Sequence, residues 1–183
     1  MKKIFLVILG VVIIGCGYHY VKTTNQKNEG NKNMKLFSPA FENNQSIPKT
    51  FTCEGKNISP ELKWEGVPSD AKSLALIVDD PDAPNKTWVH WVVYNLPAHI
   101  TKLDEGMAIA QLGGKEGNTD FGKPGFGGPC PPKGHGKHRY FFKLYALDTI
   151  LDLPKNISKQ DLEKSMEGHI LAKSELVGLY ERS

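Results

Sequence analysis

Nine consecutive residues, Trp88 to Leu96 (WVHWVVYNL), constrain this chain most. All but His90 and Asn95 are apolar or aromatic, so neither face of the segment can be left to water, and the run reads as a central strand. By simple alternation His90 shares a face with Trp88, Val92 and Tyr94. Two further strands support it. Ser73 to Asp79 (SLALIVD) turns Leu74, Leu76 and Val78, and then Asp80, to one side. Tyr140 to Leu147 puts Tyr140, Phe142, Leu144 and Ala146 on one face, which His138 joins if the extended geometry begins there.

The remaining segments fit a mainly β domain. Residues 35–68 are broken by Pro39, Pro48, Gly55, Pro60, Gly66 and Pro68, which favours short strands and turns. Residues 106–137, rich in glycine and proline, form a long, specifically folded loop. One helix is specified late in the chain: Ser158 is its N-cap, Asp161 stands at N3 as in a capping box, and Ile157 and Leu162 are placed as a hydrophobic staple. Leu162, Met166, His169 and Ile170 recur at helical spacing and predict one apolar stripe. Glu175 to Tyr180 reads as a final strand. Three strong strands and one helix packed at the end are the expected architecture.

The N-terminus follows other rules. Lys2 and Lys3 precede an uncharged apolar run from Ile4 to Ile14, the pattern of an export signal. As a helix the run to Gly15 reaches about 18 Å, short of a bilayer span. Ile13-Ile14-Gly15-Cys16 resembles a bacterial lipoprotein cleavage box, so residues 1–15 are expected to be removed and Cys16 lipidated. An uncleaved anchor, or ordinary cleavage near Gly15 or Gly17, are the alternatives. The polar stretch that follows, through residue 34, reads as a tether, because it holds too few apolar groups to offset the entropy of ordering it. Its residues 17–33 span roughly 55 Å when extended. The expected location is therefore the cell envelope, membrane-anchored through the N-terminal lipid, with residues 35–183 as the folded domain. The chain has 23 basic and 20 acidic residues, and losing Lys2 and Lys3 leaves 21 against 20. No basic cluster remains to bind a phosphodiester backbone, which excludes nucleic acid as a partner.

Cys53 and Cys130 remain inside the domain. An exported chain with an even pair permits one disulfide, while two separate buried thiols are equally compatible with the sequence.

Three separated segments bring polar groups to the margins of apolar strands: Asp79 to Pro84 (DDPDAP), His90, and Gly127 to Tyr140 (GGPCPPKGHGKHRY). Glycines leave backbone N–H groups approachable and prolines hold a loop, a combination suited to a small anion. Histidine and tyrosine supply donors, and Asp80 can orient an imidazole or accept from a ligand amine. No phosphate-loop pattern and no serine on a nucleophile elbow is present. The histidines are read as hydrogen-bonding an anion or water rather than as zinc ligands, and no metal, cofactor or catalytic residue is expected.

The stretches DPDAP (80–84), WVHWVVYNLP (88–97) and GGPCPPKGHGKHRYFFKLYAL (127–147) together resemble the phosphatidylethanolamine-binding protein family, in particular its bacterial and archaeal Raf-kinase-inhibitor-like branch. FTCEGKNISPELKW (51–64) and GHILAKSELVGLYER (168–182) are similar as well. The resemblance implies a large central antiparallel sheet, a smaller sheet and peripheral helical pieces. It also implies a pocket for phosphate-like or carboxylate anions, formed here by Asp80, Asp82, His90, Gly128, Pro129, His138 and Tyr140. Arg139, on the opposite face from Tyr140, is expected to pair with an acid such as Asp82. The Ala83–Pro84 bond resembles one that is cis in the family.

Function then reads as a non-catalytic binding or regulatory domain for a small anionic or phosphate-bearing group, on a lipid head group or a protein partner. An inhibitor of a protease or other enzyme, acting through a surface loop, is the alternative. Hydrolysis is disfavoured because no activated nucleophile is in view.

Overall fold

A computed structural model describes residues 34–182. The leader, Cys16 and residues 17–33 of the tether lie outside the described residues, whereas Met34, read as the tether's last residue, is buried in the core.

Two antiparallel-rich sheets and one helix make up the fold. In chain order the elements are β1 (Lys35–Phe37), β2 (Gln45–Ser46), β3 (Leu62–Glu65), β4 (Ser73–Asp80), β5 (Trp88–Pro97), β6 (Lys102–Leu103), β7 (Lys115–Glu116), β8 (His138–Leu147), α1 (Lys159–Met166) and β9 (Ile170–Tyr180). The large sheet has the order β2-β9-β8-β4-β5-β7, and the small one β1-β3-β6. The most enclosed strand is β4, whose eight residues are all buried between β5 and β8. Although β5 is buried on both faces as expected, its outer neighbour is only the two-residue β7, and it therefore stands one place from the edge.

The two faces of the large sheet carry two separate apolar clusters. Leu74, Leu76, Val78, Tyr140, Phe142, Leu144 and Ala146 pack with Leu36, Leu62, Trp64 and Leu103 of the small sheet. Ala75, Ile77, Val92 and Tyr94 pack on the other side against Ile157, Leu162 and Met166 around α1. The alternation predicted for β4 and β8 thus holds, and β8 does begin at His138. Each buried methylene contributes about 0.8 kcal/mol, so a two-faced sheet of this kind is held mainly by apolar burial.

The capping box forms as read: Ser158 Oγ accepts from the Asp161 N–H at 3.1 Å, and Asp161 Oδ2 accepts from the Ser158 N–H at 3.0 Å. The helix is shorter than its periodicity suggested. It ends at Met166, Gly168 adopts φ +78°, and His169 and Ile170 leave the stripe because the chain enters β9 there. The last strand accordingly starts at Ile170 and not at Glu175. No cis peptide bond occurs among the described residues, so the expected cis Ala83–Pro84 is trans. Asn85, next in the chain, takes φ +71°, a left-handed conformation that Asn tolerates. Cys53 and Cys130 are joined as a disulfide, with Cα atoms 5.4 Å apart. Among the described residues no helix is long and apolar enough to cross a membrane.

Candidate functional site

β4 ends in two adjacent carboxylates that the strand's period of two sends to opposite faces. Asp79 turns toward α1, where Lys143 Nζ (2.8 Å) and Lys159 Nζ (2.5 Å) bind it. Asp80 turns to the small-sheet side. Its Oδ1 accepts from the Asp82 N–H at 2.8 Å and its Oδ2 from His138 Nδ1 at 2.7 Å. The Nε2 of His138 lies 2.8 Å from Nδ1 of His135, so a buried carboxylate, a buried imidazole and an exposed imidazole form one chain.

His90 reaches the same side by a different route. The register runs Val78↔Trp91 and then Asp79↔Val89, so His90 is the extra residue of a β-bulge. Alternation alone puts it with Val92 and Tyr94 on the helix side, and that expectation is corrected: the bulge re-aims the ring toward Tyr140, with centroids 5.1 Å apart and edge-on. Gly127 holds it there at two points. The Gly127 N–H donates to the His90 carbonyl at 2.9 Å, and the Gly127 carbonyl lies 2.6 Å from His90 Nδ1. Because a carbonyl only accepts, Nδ1 carries the proton and Nε2 is the uncommitted nitrogen. Burial lowers the His90 pKa below its ordinary value, with the Gly127 hydrogen bond and the charge of Asp80 opposing. The Tyr140 phenol is pushed up, chiefly by burial and further by the Asp80 charge beside it.

Asp80, His90, His138 and Tyr140 form the polar walls of one cavity of about 390 Å³. Trp88, Phe121, Pro84, Pro131 and Pro132 make its apolar rim. Phe121 stands edge-on to both His90 (5.4 Å) and Trp88 (5.8 Å). The wall holds no lysine or arginine. A slightly larger hollow of about 440 Å³ lies over Lys143, Tyr145, Lys173, Ser174 and Glu175. Of its two lysines, Lys143 is already committed to Asp79.

Three of the residues expected in the pocket do not reach its wall. Asp82 is taken by Arg139, whose Nε and Nη2 lie 2.8 and 2.7 Å from its two oxygens while the Arg139 N–H donates at 3.0 Å. Those hydrogen bonds hold the Asp82 carboxyl at about 2, well below the usual range. The Gly128 N–H, expected to face an anion, donates instead to Asn57 Oδ1 at 2.7 Å. A Cβ at Gly128 would lie 2.4 Å from the Phe51 carbonyl oxygen, so this glycine serves close packing of the loop. Pro129 offers its carbonyl to the Cys53 N–H at 3.1 Å. With the disulfide, these contacts fix the loop on which Cys130, Pro131 and Pro132 meet the cavity. Sequence reasoning missed Phe121 and His135. An aromatic inside a polar, glycine-rich loop, one of two there with Phe126, was the available signal for the first, and the HGKH spacing for the second. Among the described residues no group of three or more His, Cys, Asp or Glu side chains is placed to hold a metal ion.

A profile of the family described as phosphatidylethanolamine-binding protein matches residues 37–181. The chain belongs to the phosphatidylethanolamine-binding protein family. A UPF0098 protein of Methanothermobacter thermautotrophicus is 53% identical over 152 residues, 81% of this chain and 99% of its own length. A crystal structure of a PEBP homologue from Chlamydia trachomatis superposes with a TM-score of 0.77 at 43% identity, covering 83% of this chain and 99% of that one. E. coli YBCL, described as a new member of the mammalian PEBP family, gives 0.76 at 35% identity, covering 82% and 99%. The mainly β PEBP fold, with two sheets and a single helix, is the fold of this chain. The matched region contains the whole cavity wall and both bridged cysteines.

Proposed function

We propose that this chain is a binding or regulatory domain that recognises a small anionic or phosphate-bearing group in the cavity of Asp80, His90, His138 and Tyr140. One observation carries the reading: β4, the bulge of β5 and the start of β8 deliver these four side chains to a single hollow with an aromatic and proline rim. A polar floor within an apolar mouth suits a compact head group on a larger molecule. His90 Nε2 accepts from an O–H or N–H of the ligand, and the imidazole of His138 supplies positive charge when protonated. Asp80 is read as the group that orients His138, since its two oxygens are bonded to the Asp82 N–H and to His138. The identities to archaeal and chlamydial relatives support placing it in the bacterial and archaeal Raf-kinase-inhibitor-like branch. The leader supports a chain exported and anchored through a lipidated Cys16, with residues 35–183 as the binding domain. No feature of the described loops favours the inhibitor reading.

NMR-detected titrations with inorganic phosphate and with phosphoethanolamine test the reading. Asp80→Asn should weaken both ligands equally, because it releases His138, by roughly tenfold for one charge-assisted contact. A loss confined to phosphoethanolamine would mean that Asp80 reads the amine. If the folded double variant His90→Ala, His138→Ala keeps its full affinity for both, the cavity is not the binding site.

A further inference from the structure

His138 is 2% exposed, and its Nδ1–H is committed to Asp80. Its other nitrogen, Nε2, is hydrogen-bonded to Nδ1 of His135 at 2.8 Å. Two lone pairs do not face each other at that distance, so one proton lies between the two nitrogens. If His138 holds it, His138 is an imidazolium ion donating to a neutral His135. If His135 holds it, His138 is neutral. The charge of a buried ring in the cavity wall is therefore tied to the proton placement of an exposed one.

The surroundings make that charge matter. Asp82, in the turn after β4, is neutralised by Arg139. On β5, burial disfavours the charged form of His90. Tyr140 on β8 and Tyr180, the partner of His138 on β9, are phenols whose pKa values are raised, and Glu54 bonds the Tyr180 hydroxyl. Lys133 and Lys137 lie exposed in the loop that carries His135. Asp80 is thus the one acidic side chain in the cavity wall, and an incoming anion meets it with no lysine or arginine lining the cavity to offset it. Only His138 can supply the balancing charge there.

We propose that His135 is a positioning residue for the anion site: by sharing a proton with His138 it lets the His138–Asp80 pair become imidazolium–carboxylate when an anion arrives, and anion binding takes up one proton through the exposed ring. The proton enters from solvent at His135 Nε2, the shared proton moves to His138 Nε2, and His135 returns to neutral. No other bond changes. The inference rests on the anion-site reading, but its test separates the two.

The full-length chain, ¹⁵N-labelled, is titrated with inorganic phosphate at pH 6 and pH 8. Proton uptake is measured by calorimetry in two buffers of different ionisation enthalpy. The wild-type protein should take up about one proton per phosphate bound at a single shared site. In His135→Phe the ring still covers Nε2 but accepts no proton. Uptake should disappear, and affinity at pH 6 should fall about tenfold, as for loss of one charge-assisted hydrogen bond. Affinity at pH 8 should change little. His135→Gln, whose amide oxygen can accept from Nε2–H, should restore much of the affinity. Unchanged uptake and affinity in a folded His135→Phe protein would overturn the proposal. Should the wild type bind no phosphate, the anion-site reading fails by itself. The His138 ring ¹⁵N shifts of the ligand-free proteins then decide: a change of charge state in His135→Phe upholds the coupling, and identical shifts refute it.

Discussion

Replacing Asp79 by Asn should cost about 3 kcal/mol of stability and leave ligand binding intact. The carboxylate is fully buried and joins two strands to a helix: Lys143 comes from β8 and Lys159 from the first turn of α1. Removing one partner of a buried ion pair typically costs about 3–5 kcal/mol, because a charge is left without compensation in a poorly hydrated place. Here the side chains of Lys143 and Lys159 are 26% and 13% exposed, so both can recover part of their hydration, which argues for the lower end of that range. Lys159 also has Glu163 at 3.6 Å, a weak second partner. For a domain of this size 1 kcal/mol moves Tm by about 2–4 °C, so the midpoint should drop by about 6–12 °C. Urea unfolding followed by circular dichroism measures the change, with an unaltered m value showing that stability and not compactness has changed. Phosphate titration of the same variant should match wild type, since Asp79 and Asp80 face opposite sides of the sheet. A loss below about 1 kcal/mol would refute the reasoning and class the cluster with ordinary surface pairs.

Three further outcomes are expected. Hydrogen bonds from Arg139 hold the Asp82 carboxyl at about 2 in the folded domain, below its ordinary 3.8. A depressed carboxyl stabilises above its unfolded pKa and loses that contribution as pH falls through the folded one, so acid unfolding between about pH 4 and 2 should be shallower in Asp82→Asn. Cys130→Ser should lower stability, by at most about 4.5 kcal/mol on the loop-entropy model for partners 77 residues apart, and urea midpoints with and without reductant check it. The N-terminal peptide of the native protein should carry a diacylglycerol on Cys16 by mass spectrometry and lose it in Cys16→Ser. An unmodified peptide that starts elsewhere would rule the anchor out.

The strands were legible because burial on a pleated sheet leaves a period of two in the residues themselves. Leu74, Leu76 and Val78 of β4, and Tyr140, Phe142 and Leu144 of β8, fall on one face as alternation requires. The helix cap was legible for a similar reason: Ser158 and Asp161 are local partners, three residues apart. What failed was whatever depended on distant partners. The periodicity of Leu162 and Met166 seemed to continue through His169 and Ile170, but pairing of Ile170 with Leu147 took the chain into the sheet. The family resemblance implied that Gly128 and Asp82 line the pocket, but both are held by protein partners, Asn57 and Arg139, 71 and 57 residues away, the second being the pairing expected for Arg139. Nothing near Gly128 in the chain announces its contact with Asn57.

His90 shows how small a backbone irregularity separates a correct residue from a correct argument. Its type and its strand pointed to the site, yet strict alternation sends its ring to the helix side. One extra residue opposite the Val78–Asp79 step reverses that, and the bulge is held by Gly127 bonding both the carbonyl and the ring of His90. The same few residues also divide stability from recognition. Where β4 stops, Asp79 closes the helix side with two lysines, while Asp80 opens the other side to His138 and the cavity. Regular pairing between β4 and β8 reaches Asp79↔Phe141 and goes no further, although β8 extends back to His138. The end of β4 and the start of β8 thus part from each other while Asp80 stays paired with Trp88 of β5 and His138 and Tyr140 stay paired with β9, so the cavity opens between two strand ends that are each held from the other side. A site assembled from strand ends and one bulge can change its chemistry by substitution at those positions while the two apolar clusters that hold the sheet stay as they are.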